Sequence, residues 1–425
     1  MPLHNPLWEV LEPLLVKTGL YTVPDPTYGR WLLPPHPPHV ALLENPAVRH
    51  RFRRIFLAPY STFDTLQEAY DTTAITFAED VTFTADEIQS GKQRGGRWVA
   101  YSMWEMDEPE GGWEAGGRGV GRDLVLIHGL SDYGMRYAPH ALHFLKAGFR
   151  LIMPDLPSYG RSSGVNSYLP SLLLLPAALH AVLTDVVQDD LAQGRKQRKV
   201  FLSGASMGGW TVLYYLLKYP PTTSAIDVAE SALTMDKPPL ANGTGKGYDD
   251  TERPQEDEKP RPHIAGAFVL CPMVEASKSS RPPKIAEWIA KGIVYFAGQL
   301  PLVSGVRGKV SDDPAVEEDF FSDPLCYHGK LRVGTGLSLL EGMNELQKRA
   351  EEINVPIRLV HGSKDRATSH LGTLKLFDRL PNEDKEIEIY DGYEHIMIKP
   401  GRDEQDDRAR QRVLADWREW LLRRC

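Results

Sequence analysis

The chain has 425 residues, 42% hydrophobic and 25% charged, which excludes collagenous, coiled-coil and wholly disordered classes and suits one large α/β unit with insertions. A formal charge of −8 argues against nucleic acid as a partner, because phosphate binding needs a clustered basic surface. Cys271, Cys326 and Cys425 are too few for a disulfide framework and lack any zinc-ligand spacing, so a reducing, cytoplasmic location is expected.

The first twenty residues read as an amphipathic helix, with Asn5 as N-cap, Pro6 at the first helical position and Leu7, Trp8, Leu11, Leu14 and Leu15 on one face. Glu9, Glu12 and Pro13 set this stretch apart from a secretory signal. Two readings follow: a helix packed on the main body, or reversible attachment to a membrane or lipid-droplet surface. Residues 1–74 are proline-rich, with a basic Arg51-Phe52-Arg53-Arg54, and read as an extension wrapping a core that spans 75–425. Alternating patterns between Ile75 and Met106 predict antiparallel strands.

From Asp123 short apolar runs alternate with helical segments. Leu124–Ile127, Arg150–Met153, Val200–Leu202, Ala267–Leu270, Ile357–Val360 and Glu386–Tyr390 have the continuous apolar character of strands buried on both faces. Helical patterns such as Tyr137–Ala147 and Trp210–Lys218 lie between them. The alternation predicts a mostly parallel, doubly wound α/β sheet. The stretches 169–187 and 285–303 are apolar but carry prolines or charges, short of a clean membrane span. Two segments interrupt the pattern. Residues 236–262, rich in Pro, Gly, Asp, Glu and Lys, read as a mobile surface insertion. Residues 272–340 contain the apolar spacing Ile285, Trp288, Ile289, Ile293, Tyr295, Phe296, Leu300 and read as a helical cap, the alternative being a buried core helix.

Gly204-Ala205-Ser206-Met207-Gly208 lies between a strand and a helix, the context a nucleophile elbow requires. A serine hydroxyl needs a base to take its proton. His395 follows the last strand, and Asp365 sits just beyond the strand Ile357–Val360, giving the chain order nucleophile, acid, histidine. Asp391 and Glu394 are rival acids, poorly placed in sequence to reach the far ring nitrogen of His395. The backbone N–H groups of Met207 and Leu130 are the expected oxyanion donors, with Gly129 allowing close approach and His128 shaping the turn.

His128–Tyr137, Asp155–Gly164, Gly204–Gly209, Ser322–Leu325, His361–Asp365 and Gly392–His395 together resemble the motifs of monoacylglycerol lipases, a branch of the serine aminopeptidase-like α/β-hydrolases. The resemblance covers about residues 95–425. It implies the α/β-hydrolase fold with a helical cap, hydrolysis of fatty acyl monoglycerides or related lipid esters, and no cofactor. It also implies that Asp132 and Arg136 contact the glycerol end of a substrate, although the family more usually has glutamate at the first position. The alternatives are a broad carboxylesterase or lysophospholipase, then a peptidase, then a non-catalytic binding protein on the same fold. Epoxide and haloalkane hydrolysis are disfavoured, since those chemistries place aspartate where Ser206 stands.

Overall fold

The computed structural model describes residues 11, 14–15, 18, 20–21, 25–33, 42–72, 74–82, 96–219, 262–277, 280–302, 310–398 and 403–425. Residues 236–261 of the insertion read over 236–262 lie outside them, as does most of the helix read over residues 1–20.

Nine strands form one sheet in the order β2-β1-β3-β5-β4-β6-β7-β8-β9. They are β1 (Val48–Leu57), β2 (Ile75–Val81), β3 (Arg97–Met106), β4 (Arg122–Ile127), β5 (Arg150–Asp155), β6 (Lys199–Ala205), β7 (His263–Leu270), β8 (Ile357–Gly362) and β9 (Lys385–Tyr390). The pairs β1/β2, β1/β3 and β3/β5 are antiparallel, and every pair from β5 onward to β9 is parallel. The interior parallel strands are apolar runs of the sequence, buried on both faces as βαβ crossovers demand, whereas β9, at the sheet edge, is mostly half-buried. Ile127 pairs with Gly204 and Ala205 with Leu270, so the carboxyl ends of β4, β6 and β7 finish side by side. Ligand sites in such sheets lie beyond those ends.

Helices cover both faces. Helices α1 (Leu66–Asp71) and α2 (Ala138–Leu145) are followed by α3 (Leu174–Ala192) and α4 (Met207–Lys218). The stretch 169–187 supplies most of α3, which is buried on nearly every side; its apolar character reflects a core position. Among the described residues no helix is long and apolar enough to cross a membrane. After β7 come α5 (Lys284–Ala297), α6 (Pro314–Ser322) and α7 (Val333–Lys348), then α8 (His370–Arg379) and α9 (Glu404–Leu422). One core layer joins α3, α4 and α7 to the sheet, and the other joins α2 and α9, with Phe268 stacked on Trp417 at 5.4 Å.

Two boundaries differ from the sequence reading. Residues 48–57, within the stretch read as a wrapping extension, are the full sheet strand β1. Its arginines are neutralised by acids distant in the chain. Arg53 makes a bidentate bond with Asp185 at 3.0 Å, shared with the Tyr101 hydroxyl at 2.7 Å, and Arg54 lies 4.4 Å over the Trp31 ring, a cation–π contact. Residues 25–33 lie against the loop after β5: Arg30 donates to Gly160 and Ser162 carbonyls at 2.7 and 2.6 Å, and Arg161 donates back to Leu33 O at 2.6 Å. The stretch read as a cap ends inside α7, whose Leu339, Met343 and Leu346 belong to the main core. Helix α5 is no buried core helix, since Ile285, Trp288 and Ile289 are 70%, 77% and 49% exposed.

Candidate active site

Ser206 occupies the turn from β6 into α4 at φ 57°, ψ −118°. A non-glycine residue held there carries about 1–3 kcal/mol of backbone strain and persists only where its surroundings over-determine it. They do so here. Ser206 N–H donates to Leu270 O at 3.1 Å, and Met273 N–H donates to Ser206 O at 3.0 Å, tying the turn to the end of β7. A Cβ on Gly208 would meet Ile127 O at 2.1 Å, and one on Gly204 would meet the Gly208 carbonyl at 2.5 Å. The two glycines of the motif are therefore required by close backbone approach.

Beside the elbow runs the loop after β4. A Cβ on Gly129 would lie 3.5 Å from Ser206 Cβ. Among the described residues neither Leu130 N–H nor Met207 N–H donates a hydrogen bond to a protein acceptor. Met207 is the first residue of α4, where amide hydrogens have no intrahelical partner and the helix dipole favours negative charge. His128 holds the loop. Its Nδ1 donates to Gly129 O at 2.8 Å, and Nε2 accepts Leu156 N–H at 2.9 Å, an arrangement that fits a neutral ring. Burial pushes its pKa down to about 4.

Asp365 lies in the turn after β8. Its Oδ1 accepts the N–H groups of Ala367 and Thr368 at 2.7 and 2.9 Å. Its Oδ2 accepts His395 Nδ1–H at 2.6 Å and the Thr368 hydroxyl at 2.8 Å, and His361 Nε2 lies 3.0 Å from it. Burial works to raise this carboxyl, yet the two histidines outweigh it and hold the group far below the usual carboxylate range. The rival acids are engaged elsewhere. Asp391 accepts the Ser363 hydroxyl at 2.9 Å, and Glu394 accepts the Ser311 hydroxyl and Asp312 N–H, both at 2.8 Å. The Ser206 hydroxyl makes no hydrogen bond with His395 among the described residues; such contacts often tighten only with substrate in place.

Asp132 and Arg136 are brought together, but Arg136 also serves the cap. Its Nε lies 3.5 Å from Asp132 Oδ1, while Nη2 donates to Asp319 of α6 at 2.5 Å and Nη1 lies 3.6 Å from Asp323. Burial pushes the Asp132 carboxyl up to about 6 against the pull of Arg136. The Tyr133 hydroxyl donates to Asp323 at 2.8 Å, and Tyr327 N–H donates to Ser131 O at 2.9 Å. At the other end of this cap segment, Ile396 N–H donates to Val310 O at 3.2 Å, beside the Glu394 contacts.

The sequence profile described as "Serine aminopeptidase, S33" matches residues 121–243 and 257–399. The chain belongs to that family. It is a monoacylglycerol lipase-like α/β hydrolase of the ester-cleaving kind. The monoacylglycerol lipase of Mycolicibacterium smegmatis is 25% identical over 328 residues, covering 77% of this chain and 94% of that protein. The caffeoylshikimate esterase of Arabidopsis thaliana is 26% identical over 300 residues, covering 70% and 76%. Among solved structures, a soluble variant of monoglyceride lipase from Saccharomyces cerevisiae superposes with a TM-score of 0.55 at 19% identity, covering 77% of this chain and 91% of that one; at that identity the likeness concerns the fold.

For an S33 hydrolase the site holds more than its motifs announce. His361, quoted above only as part of the Asp365 motif, Thr368 and the buried Cys271, whose thiol lies with Asp365 and His395 in one cluster within 4.8 Å, surround the acid with no role for them read from the sequence. The available clue is Gly362. A Cβ there would meet Tyr393 O at 2.3 Å, so glycine lets the His395 loop cross the end of β8.

Proposed function

We propose that this protein hydrolyses lipid acyl esters, monoacylglycerols foremost, through an acyl-enzyme on Ser206. The observation that carries the reading is the 2.6 Å bond from His395 Nδ1 to Asp365, made by the loops that follow β8 and β9, at the same carboxyl end of the sheet as the strained Ser206. Asp365 fixes the ring so that Nε2 faces outward as a base and stabilises the imidazolium that forms. The Ser206 hydroxyl attacks the ester carbonyl carbon as His395 takes its proton. The developing oxyanion is met by the free N–H groups of Leu130 and Met207. Collapse breaks the bond to the alcohol, which leaves with the proton from His395. Water, deprotonated by the same ring, then releases the fatty acid and restores Ser206.

A lipid substrate is supported by the exposed apolar face of α5, which suits contact with a membrane or droplet surface carrying that substrate. A second reading, a broad carboxylesterase, is favoured by one observation: Arg136 is occupied by Asp319 and Asp323 of the cap, which leaves less of it for a glycerol head. The test compares kcat/KM for monoacylglycerols, lysophospholipids, triacylglycerols and short-chain esters, with Ser206→Ala as control. A preference for the monoglyceride supports the first reading. Indifference to the alcohol refutes it in favour of the second, and full activity in Ser206→Ala refutes both.

A further inference from the structure

We propose that His361 is a positioning residue whose Nε2–H shares Asp365 Oδ2 with His395, fixing the carboxylate and limiting the negative charge that the catalytic imidazole faces. The inference rests on the Ser206–His395–Asp365 reading and adds a second histidine to it.

The hydrogen-bond network assigns the ring. His361 Nδ1 lies 2.9 Å from the Thr373 hydroxyl on α8, and Nε2 lies 3.0 Å from Asp365 Oδ2 and 3.3 Å from the Thr368 hydroxyl, whose own hydrogen goes to Asp365 Oδ2. A carboxylate only accepts, so Nε2 carries the hydrogen and Nδ1 accepts from Thr373. Burial lowers the His361 pKa even beside Asp365, in keeping with a neutral ring. The charged and titratable groups facing it are Asp365 and His395, with His370 of α8 at a ring-centroid distance of 6.3 Å; Cys271 at the end of β7 turns its thiol toward the same carboxylate. Three donors therefore meet on one oxygen: His395, Thr368 and His361. Each draws on the charge available to the others. Removing His361 strengthens the hold of Asp365 on a protonated His395, so the base is lost to protonation at higher pH.

The experiment follows kcat/KM for p-nitrophenyl butyrate against pH in the full chain. Thr373→Val keeps the imidazole but removes the hydroxyl that donates to Nδ1 and holds the ring against Asp365, and His361→Leu removes the ring. In both, the acid limb should move up by roughly 0.5 pH unit or more, and His361→Gln, which retains an N–H donor, should return it toward wild type. An unmoved acid limb in Thr373→Val and in folded His361→Leu, with Ser206→Ala inactive, overturns this inference alone. If His361→Leu does not fold, Thr373→Val decides. Activity surviving in Ser206→Ala overturns the underlying site reading and this inference with it.

Discussion

Replacing Asp365 by asparagine changes one oxygen to an amide nitrogen and leaves the shape of the side chain almost intact. Oδ1 accepts two backbone N–H groups at 2.7 and 2.9 Å, which pins the remaining carbonyl oxygen there. The new NH2 then faces donors from His395, Thr368 and His361. Donor against donor is repulsive, and the simplest relief is for His395 to move its hydrogen from Nδ1 to Nε2. In that tautomer Nε2 has no lone pair for the serine proton, and the imidazolium has lost its counter-charge. The expected loss in kcat is about 10³–10⁴-fold, equivalent to ~4–5.5 kcal/mol of transition-state stabilisation. Stopped-flow or steady-state hydrolysis of a p-nitrophenyl ester measures it, and the melting temperature checks that the fold survives. A folded Asp365→Asn protein losing less than about tenfold would refute the assignment of Asp365 as the orienting acid.

Acid stability tests the same carboxylate from another side. Its folded pKa is depressed, so the stability it contributes is fully present above the ordinary carboxylate value near ~4 and is lost as pH falls below it. Urea midpoints of wild type should therefore fall more steeply on acidification below that value than those of Asp365→Asn; parallel curves would contradict the depressed pKa. Gly208→Ala should destabilise the fold by at least ~2 kcal/mol in urea titration, because the added methyl meets Ile127 O at 2.1 Å with only backbone to yield. Ile285→Ser with Trp288→Ser should reduce co-sedimentation with phospholipid vesicles while hydrolysis of a water-soluble ester is retained; undiminished vesicle binding would remove α5 as the lipid contact.

The central parallel strands were legible because burial on both faces leaves an apolar run, and Leu124–Ile127 needed no context to be read. Ser206, Asp365 and His395 could be singled out as candidates because each follows a strand end, and the glycines around Ser206 mark close backbone approach. Strand β1 was not legible. Its Arg51 and Arg53 look solvated until Asp80, Asp185 and Asp189 are placed beside them, and sequence proximity gives no hint of α3. His361 escaped for a similar reason: its partners Asp365 and Thr373 give one ring nitrogen a donor's role and the other an acceptor's, a distinction that composition cannot express. The ion pairs of Arg136 with Asp319 and Asp323 arise only when the cap is folded back over the first loop.

That folded-back cap segment is fastened on both sides of Ser206. Near residue 311 it grips Glu394, the neighbour of His395, and near residue 323 it grips Tyr133 and Arg136, close to Leu130. On the proposed assignment, displacing this segment would pull at once on the loop of His395 and the loop of Leu130, so that entry and chemistry would share one mechanical element.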